Sequence, residues 1–379
     1  MRSFLEAKQQ EMLEMLEEMV NMDSGSYDKQ GVDRVGTLLA KSYDELGFRI
    51  EVYKQTELGD HLLIKHRNAK QPKIIIIAHM DTVFPKGTVE ERPFSIKGDQ
   101  AFGPGVIDMK GSHITLFYAI RALLQSKSKA CENIMLLFNS DEEIGSPTSR
   151  EMIEKEAIDK DFALIMEPAR RDGSLVTARR GKGNYTLTVK GKAAHSGIEP
   201  EKGRSAIEEL AHKVIQLHEL TDHEKGISVN VGLIEGGSAA NTVSDNAIAH
   251  VDVRISELAQ VEELEEELEK ICSSTEVPGT EIELEGEMNR PPMEKNEQTV
   301  SLLELIESVG KEIGVDISDT STGGGSDASF TAALGIPTID GLGPVGGFPH
   351  SEKEYLEIPS LVDRALLLAK TIEVLSDRP

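Results

Sequence analysis

The sequence predicts an α/β protein with a mostly parallel sheet flanked by helices and a smaller inserted α+β domain. Apolar runs typical of buried strands occur at 74–77, 134–138 and 163–166, and helix-like segments such as 109–125 separate them. Because apolar runs without alternation imply burial on both faces, this βαβ rhythm indicates a parallel sheet covered by helices. The length of 379 residues exceeds that of most single cores, so two domains are expected.

The inserted domain is predicted from a change of pattern at residue 182. Alternating segments typical of half-exposed strands follow, such as "NYTLTVKG", "GISVNVGLIEGG" and "EIELEGE", together with the amphipathic helix "ELAQVEELEEELEKICSS". The proline pair in "NRPPM" then marks a return linker, after which helical periodicity resumes. We therefore expect one α/β domain formed by 1–181 and 292–379, with the α+β domain at 182–291.

The net charge of the chain indicates which kinds of binding partner are unfavourable. The chain carries 41 basic and 66 acidic side chains, a net charge of −25, which argues against nucleic acid or an anionic membrane surface. No stretch is long and apolar enough to span a bilayer. The two cysteines lie far apart without metal-ligand spacing, and the N-terminus has the pattern of an amphipathic helix rather than a signal peptide. We expect a cytoplasmic protein that binds neither nucleic acid nor membrane.

Histidines and acids recur where predicted strands end. They occur in the segments "AHMDTV", "GPGVIDMKG", "NSDEEIGS", "IMEP" and "GFPHS". The residues concerned are His79, Asp81, Asp108, Glu142, Glu143, Glu167 and His350. Because the carboxyl ends of parallel strands meet at one edge of a sheet, we expect these side chains to converge.

Such a set of side chains predicts a metal centre. Histidines and carboxylates without thiolates suit zinc, cobalt or manganese, and the acids outnumber what one tetrahedral ion needs. Two ions about 3.5–4 Å apart could share a bridging carboxylate and a bridging water, whose pKa they would lower. The sequence therefore predicts two divalent ions, and the donor types alone leave Zn²⁺, Co²⁺ and Mn²⁺ open.

Nine motifs distributed over residues 74–351 carry a family resemblance. They are "HMDTV", "GPGVIDMKG", "NSDEEIGS", "MEP", "VKGKAAHSG", "NVGLIEGGSAANTV", "DVR", "GGGSDAS" and "GLGPVGGFPHS". One such motif is weakly specific, whereas nine in order are strongly specific. With them the sequence resembles the di-zinc aminoacylase and carboxypeptidase family of metallopeptidases, and within it the glutamate carboxypeptidase (carboxypeptidase G) type. The resemblance implies a zinc-exopeptidase-like catalytic domain and an inserted dimerisation or lid domain.

Carried over to the matching positions, the resemblance assigns the metal ligands. It implies that His79 and Glu167 bind one ion. It implies that Glu143 and His350 bind the other ion, and that Asp108 bridges the two. Taken singly, His79 and His350 are better explained as ordinary buried histidines with backbone partners, and only the ordered set favours ligands.

The resemblance also assigns two acids that assist the ligands. Asp81 looks like the acid that orients His79, since a metal-bound imidazole generally gives its other N–H to a carboxylate. Glu142 looks like the general base, which takes a proton from water and passes it to the leaving amine. The dipeptide alone does not distinguish Glu142 from Glu143, because a helix start also explains an isolated acidic pair. The family has a cis peptide after its bridging aspartate, here Asp108–Met109.

Three residues of the predicted insertion match groups that contact substrate in the family, and a fourth is expected to join them. His195 matches a histidine that reaches across a homodimer to polarise the scissile carbonyl. Asn241 and Arg254 match groups that hold the substrate's terminal carboxylate, and Arg290 is expected to join them. Each position has a simpler alternative, since His195 could lie in a turn and Arg254 could be merely solvated.

The resemblance predicts a metal-dependent hydrolase that cleaves an amide next to a free α-carboxylate in a small peptide or N-acyl amino acid, with release of a C-terminal glutamate as one case. An N-acyl-amino-acid deacylase or a di- or tripeptidase of the same family is the alternative. The complete ligand set and Glu142 disfavour a noncatalytic binding protein, and a nucleotide-binding protein lacks its fingerprint here. The segment "ARRDGSLVTARRG" departs from the closest type and leaves glutamate specificity open.

Overall fold

The computed structural model describes residues 1–378, which form eleven α-helices and eighteen strands. The helices are α1 (Arg2–Ala7), α2 (Gln9–Val20), α3 (Lys29–Glu45), α4 (Thr88–Glu91), α5 (Gly111–Gln125), α6 (Arg150–Ala157), α7 (Ala206–Glu219), α8 (Gln260–Cys272), α9 (Glu297–Ile313), α10 (Ala328–Ala333) and α11 (Ile358–Ser376). The strands are β1 (Phe48–Tyr53), β2 (His61–His66), β3 (Ile74–His79), β4 (Ser95–Lys97), β5 (Gln100–Phe102), β6 (Ile134–Asn139), β7 (Phe162–Ile165), β8 (Leu175–Arg179), β9 (Gly181–Lys190), β10 (Ala194–His195), β11 (Ser228–Gly236), β12 (Thr242–Val243), β13 (Asn246–Ile255), β14 (Glu281–Arg290), β15 (Asp319–Thr322), β16 (Thr338–Ile339), β17 (Gly346–Gly347) and β18 (Tyr355–Glu357).

The main sheet has six strands in the order β1-β2-β6-β3-β7-β16. Strand β3 pairs in parallel with β6 and with β7, and β16 pairs in parallel with β7. The apolar runs that predict β3 and β6 are buried along their whole length, as expected of central strands. Strands β1 and β2 add an antiparallel edge that the sequence did not predict. The predicted α/β class, with a mostly parallel sheet, is confirmed.

Helices cover this sheet and enclose its core. Helix α5 is buried over almost its whole length and packs against α11, whose inward side is also apolar. The predicted helix 109–125 begins at Gly111 instead, because Asp108 and Met109 have non-helical backbone angles. The chain therefore reaches the helix through an irregular turn, and this turn carries the predicted bridging acid.

The Cα positions divide the chain into two compact units. The first comprises Met1–Ala178, Lys295–Thr322 and the chain from Ser326 onward, and the second comprises Arg179–Glu294 and Gly323–Gly325. The predicted insertion at 182–291 falls inside the second unit, whose bounds extend slightly further at each end. Within the second unit, Arg179 Nη1 donates to the carbonyls of Gly324 and Gly325, at 3.0 and 3.3 Å.

The second unit is built on an antiparallel sheet of four strands in the order β11-β13-β9-β14. Residues of β9 and β13 alternate between buried and more exposed positions, the pattern of a sheet with one covered face. Helices α7 and α8 contribute apolar residues to its core. Strand β11 lies at the edge of the sheet, and its residues Leu233 and Ile234 are about half exposed.

Within residues 1–378, no helix combines the length and the apolar character that a membrane crossing requires.

Candidate active site

The predicted ligands converge at one edge of the main sheet. Strand β3 ends at His79, β6 is followed by Glu142 and Glu143, and β7 is followed by Glu167. Because these three strands are neighbours and run parallel, their carboxyl ends lie at the same edge. The structure brings all four side chains together there, within two overlapping groups of candidate metal ligands.

Asp108 lies between the two histidines of this cluster. Its Oδ1 is 3.1 Å from Nε2 of His79, and its Oδ2 is 3.1 Å from Nε2 of His350. One carboxylate thus presents each of its oxygens to a different imidazole. A carboxylate that bridges two ions likewise offers one oxygen to each ion, so this arrangement is compatible with a bridge.

The remaining acids extend the cluster on either side of Asp108. On one side, Oε2 of Glu143 is 3.1 Å from Nε2 of His350. On the other side, Oε1 of Glu167 is 3.6 Å from Nε2 of His79, and Glu142 lies in the same group of candidate ligands. The ligand atoms of each group lie within 4.8 Å of one another.

The electrostatics of this cluster fit a site for cations. Burial and the neighbouring charge of Asp108 raise the pKa of both Glu143 and Glu167. Hydrogen bonds to Asp108 and Glu143 raise the pKa of His350 to about 11. Glu143 also keeps a buried oxygen, Oε1, that has no hydrogen-bond partner among the described residues. Closely packed acids that raise their neighbours' pKa values, one of which keeps an oxygen without a hydrogen-bond partner, are suited to bind divalent ions.

Asp81 is a buried acid that contacts several residues of the cluster. It is fully buried, and Nδ1 of His79 lies 3.4 Å from its carboxylate and 2.9 Å from its backbone carbonyl. The same carboxylate accepts the backbone N–H groups of Glu142 and Glu143, each at 3.2 Å, and the hydroxyl of Ser26 at 2.6 Å. Asp81 therefore contacts His79 through its backbone carbonyl and, at the longer distance, through its carboxylate, and it also fixes the turn that carries two acids. Sequence reasoning missed the contribution of Ser26.

His113 is a buried histidine that hydrogen-bonds to the backbone of His79. Its Nε2 donates to the backbone carbonyl of His79 at 2.7 Å. Burial lowers the pKa of His113 to about 4, so this imidazole is neutral near pH 7. His113 therefore acts as a neutral hydrogen-bond donor that fixes the backbone at the end of β3.

Glu354 is a second residue that sequence reasoning missed. Its buried carboxylate accepts the backbone N–H groups of Gly105, Ile107 and Asp108, at 3.2, 2.9 and 3.1 Å. Burial raises the pKa of Glu354 to about 8, although the three donors favour its charged form. These bonds fix the irregular turn before α5, where the Asp108–Met109 peptide is cis, as the resemblance implies.

The four predicted substrate-binding residues all belong to the second unit. His195 is exposed and pairs with Thr242 between β10 and β12, and the backbone carbonyl of Asn241 accepts the N–H of Ser196 at 3.0 Å. His195 and Asn241 therefore share one small substructure.

The two arginines of this set differ in their surroundings. Arg254 holds Asp252 with two nitrogens, at 2.9 and 3.2 Å. Arg290 is buried, and its side chain lies beside Gly325. In the arginine-rich segment, Arg179 and Arg180 both donate to backbone carbonyls within the second unit. These two arginines therefore have structural partners of their own.

A substitution at Glu354 is expected to weaken metal binding without removing a ligand. Glu354→Gln replaces an acceptor oxygen by an amide that cannot accept all three N–H groups, so the Asp108 turn should loosen. Changes to such outer partners typically cost 10- to 100-fold in metal affinity. Competition with a chromophoric chelator measures this affinity. Glu352→Gln, at an exposed position of the same loop, is the matched control, and equal affinities for both variants would contradict the assigned role.

Comparison with known proteins places the chain in a family. Residues 75–374 match peptidase family M20/M25/M40. Carboxypeptidase G2 of Pseudomonas sp. (strain RS-16) is 30% identical over 370 residues, which cover 96% of this chain and 89% of that protein. Acetylornithine deacetylase of Vibrio campbellii is 30% identical over 59% of this chain and 62% of its own length. The crystal structure of aminopeptidase PepT from Bacillus cereus superposes with a TM-score of 0.79 at 24% identity, covering 96% of this chain and 98% of PepT. The chain therefore belongs to peptidase family M20/M25/M40 and is a hydrolase of the metallopeptidase class.

Proposed function

We propose that this enzyme hydrolyses an amide bond next to a free α-carboxylate in a small peptide or N-acyl amino acid, and that two divalent ions, with Zn²⁺ expected, occupy the cluster. The observation that carries this proposal is the position of Asp108, whose two oxygens face different histidines at 3.1 Å. His79 and Glu167 would hold one ion on the Oδ1 side. Glu143 and His350 would hold the other on the Oδ2 side.

The chemistry that such ions supply when bound is polarisation of a carbonyl group and a lowered pKa for water. Glu142 is the proposed general base. It would take a proton from the attacking water and return it to the leaving amine. The position of Glu142 supports this role. Asp81 accepts the backbone N–H of Glu142, and the carboxylate of Glu142 lies in the group of candidate ligands with His79 and Glu167.

Recognition of the substrate's terminal carboxylate is proposed for the second unit. Asn241, Arg254 and Arg290 are its candidate donors, and His195 is the candidate donor to the scissile carbonyl. Because Asp252 already occupies two nitrogens of Arg254, a substrate carboxylate would have to compete with Asp252 for this arginine. Substrate preference would then depend on how far that ion pair opens.

A homodimer is part of the proposal. Strand β11 is an edge of its sheet, and edge strands with exposed apolar side chains tend to pair with another chain. Leu233 and Ile234 are 52% and 53% exposed on this strand. A second copy of this chain that covers β11 would bury both side chains. The cytoplasmic location predicted from the sequence stays a prediction.

The alternative activity within the family is removal of an acyl group from an N-acyl amino acid, or cleavage of a di- or tripeptide. Two similar proteins are named for such activities, acetylornithine deacetylase for removal of an acyl group and aminopeptidase PepT for cleavage of a peptide. Both activities use the same metal cluster, and the pocket around the substrate distinguishes them.

A substrate panel tests the proposed function. Protein stripped with a chelator and reloaded with Zn²⁺, Co²⁺ or Mn²⁺ is assayed against N-acyl amino acids, dipeptides and tripeptides, with amino-acid release as the readout. We expect metal-dependent turnover that is lost when the substrate's terminal carboxylate is converted to an amide. Equal turnover of the amidated substrates would contradict recognition of the carboxylate, and absence of turnover with every metal would contradict the reaction.

The role of Glu142 is tested by substitution. Glu142→Ala removes the proposed base while leaving the Asp81 bond to its backbone, so kcat should fall by more than about 10²-fold with little change in folding. Steady-state kinetics measure kcat, and Glu151→Ala, at an exposed position of α6, is the control. A Glu142→Ala enzyme with wild-type kcat would exclude this assignment.

A further inference from the structure

A cavity of about 470 Å³ lies in the first unit beside the metal cluster, and the mechanism above does not use it. Its walls are formed by residues 25–28, by residues 82–86, and by Glu143 with Ile144. The volume is within the range of pockets that bind small molecules. Because Glu143 lines the cavity and also belongs to the cluster, the cavity adjoins the cluster.

Backbone hydrogen bonds hold the two main walls together. The N–H of Thr82 donates to the backbone carbonyl of Ser24 at 2.8 Å, and the N–H of Ser26 donates to the backbone carbonyl of Thr82 at 3.2 Å. Gly25 allows the close approach, because a Cβ atom there would lie 2.4 Å from the carbonyl oxygen of Phe84. The cavity is therefore a built feature of the fold.

The chemistry of the walls is mainly apolar. Tyr27 is 81% exposed and Val83 is 42% exposed, and Phe84 and Ile144 line the same space. Large apolar side chains left open to water beside a pocket typically mark a place where a ligand binds. Two charged residues also line the cavity, Lys86 and Asp28, and their side chains approach each other to 3.7 Å. Asp28 partly neutralises Lys86, so the cavity lacks an unopposed cation.

We propose that this cavity binds the acyl side of the substrate, meaning the group attached to the carbonyl of the scissile amide, and that it prefers an uncharged aromatic or branched group. The inference rests on the proposed function. The leaving amino acid carries a carboxylate that needs cationic donors, and the cavity offers only Lys86, opposed by Asp28. An apolar acyl group matches the walls, and the shared residue Glu143 places the cavity next to the cluster, where the carbonyl of that group would lie.

Kinetics with three substrates distinguish the acyl side from the leaving side. N-benzoylglutamate carries its phenyl ring on the acyl side, N-acetylphenylalanine carries it on the leaving side, and N-acetylglutamate has none. Tyr27→Ala and Val83→Ala should each lower kcat/KM for N-benzoylglutamate by about 10-fold or more and leave N-acetylglutamate nearly unchanged. Ile158→Ala, which truncates an exposed side chain on α6's C-terminal side, is the matched control. A selective loss for N-acetylphenylalanine, or an equal loss for all three substrates, would overturn the proposal.

A binding measurement tests the cavity without turnover. The chain contains no tryptophan, so Tyr27→Trp places a single indole at the cavity, and Ile158→Trp is the control. N-benzylglutamate and N-ethylglutamate lack the scissile carbonyl and cannot be hydrolysed. We expect saturable emission changes for metal-loaded Tyr27→Trp, with N-benzylglutamate binding at least about 10-fold more tightly, and no change for Ile158→Trp.

Equal affinities for the two analogues, or no response of Tyr27→Trp, would overturn the subsite. Its failure is distinguishable from failure of the proposed function. If none of the substrates is hydrolysed but Tyr27→Trp still prefers N-benzylglutamate, the reaction is wrong and the apolar subsite stands. If turnover occurs without any preference at Tyr27 or Val83, the reaction stands and the subsite is wrong.

Discussion

The buried carboxylate of Asp81 is the interaction on which the site depends most. It lies just beyond strand β3 and meets both the imidazole of His79 and the backbone of the turn after β6. A fully buried carboxylate is tolerated only when its oxygens are hydrogen-bonded, and here two N–H groups and a hydroxyl provide this. Asp81 therefore couples two strand ends into one rigid support. A shift of either end would leave this charge undersatisfied.

The cluster in front of Asp81 concentrates negative charge in a way that burial alone would oppose. Asp108, Glu143 and Glu167 are all well shielded. Burial and the charge of Asp108 raise the pKa values of Glu143 and Glu167, whereas hydrogen bonds from His350 and His79 hold the pKa of Asp108 below its usual range. Two histidines offset part of this charge, and divalent ions would offset more of it. Glu354 then adds another acid behind Asp108, bonded to three backbone N–H groups. Divalent cations bound at this cluster would therefore reduce the repulsion among its acids.

Much of the fold and of the metal cluster could be predicted from the sequence because the signals are local. The isoleucine run of β3 and the apolar run of β6 indicate buried strands, and the acids beyond them indicate one edge of a parallel sheet. The family motifs supplied what spacing could not, namely the different roles proposed for Glu142 and Glu143. Chemical type and order along the chain carry this information.

The features that were missed depend on contacts between distant parts of the chain. Glu354 lies in an ordinary charged loop, and only the folded chain shows that it reaches the turn before Asp108. Ser26 and Tyr27 follow a helix without any motif, yet the pairing of Gly25 with Thr82 makes them a wall of the cavity. The alternating patterns of β1 and β2 were too weak to predict an antiparallel edge.

The most direct test of the central claim is the number of ions bound and its dependence on Asp108. Isothermal titration calorimetry of chelator-treated protein with Zn²⁺ should give two equivalents for the wild type. Asp108→Ala should weaken both sites, because each is predicted to use one oxygen of this carboxylate, whereas Asp99→Ala at an exposed position should bind as the wild type does. A stoichiometry of one in the wild type, or two unchanged sites in Asp108→Ala, would contradict a bridged pair of ions.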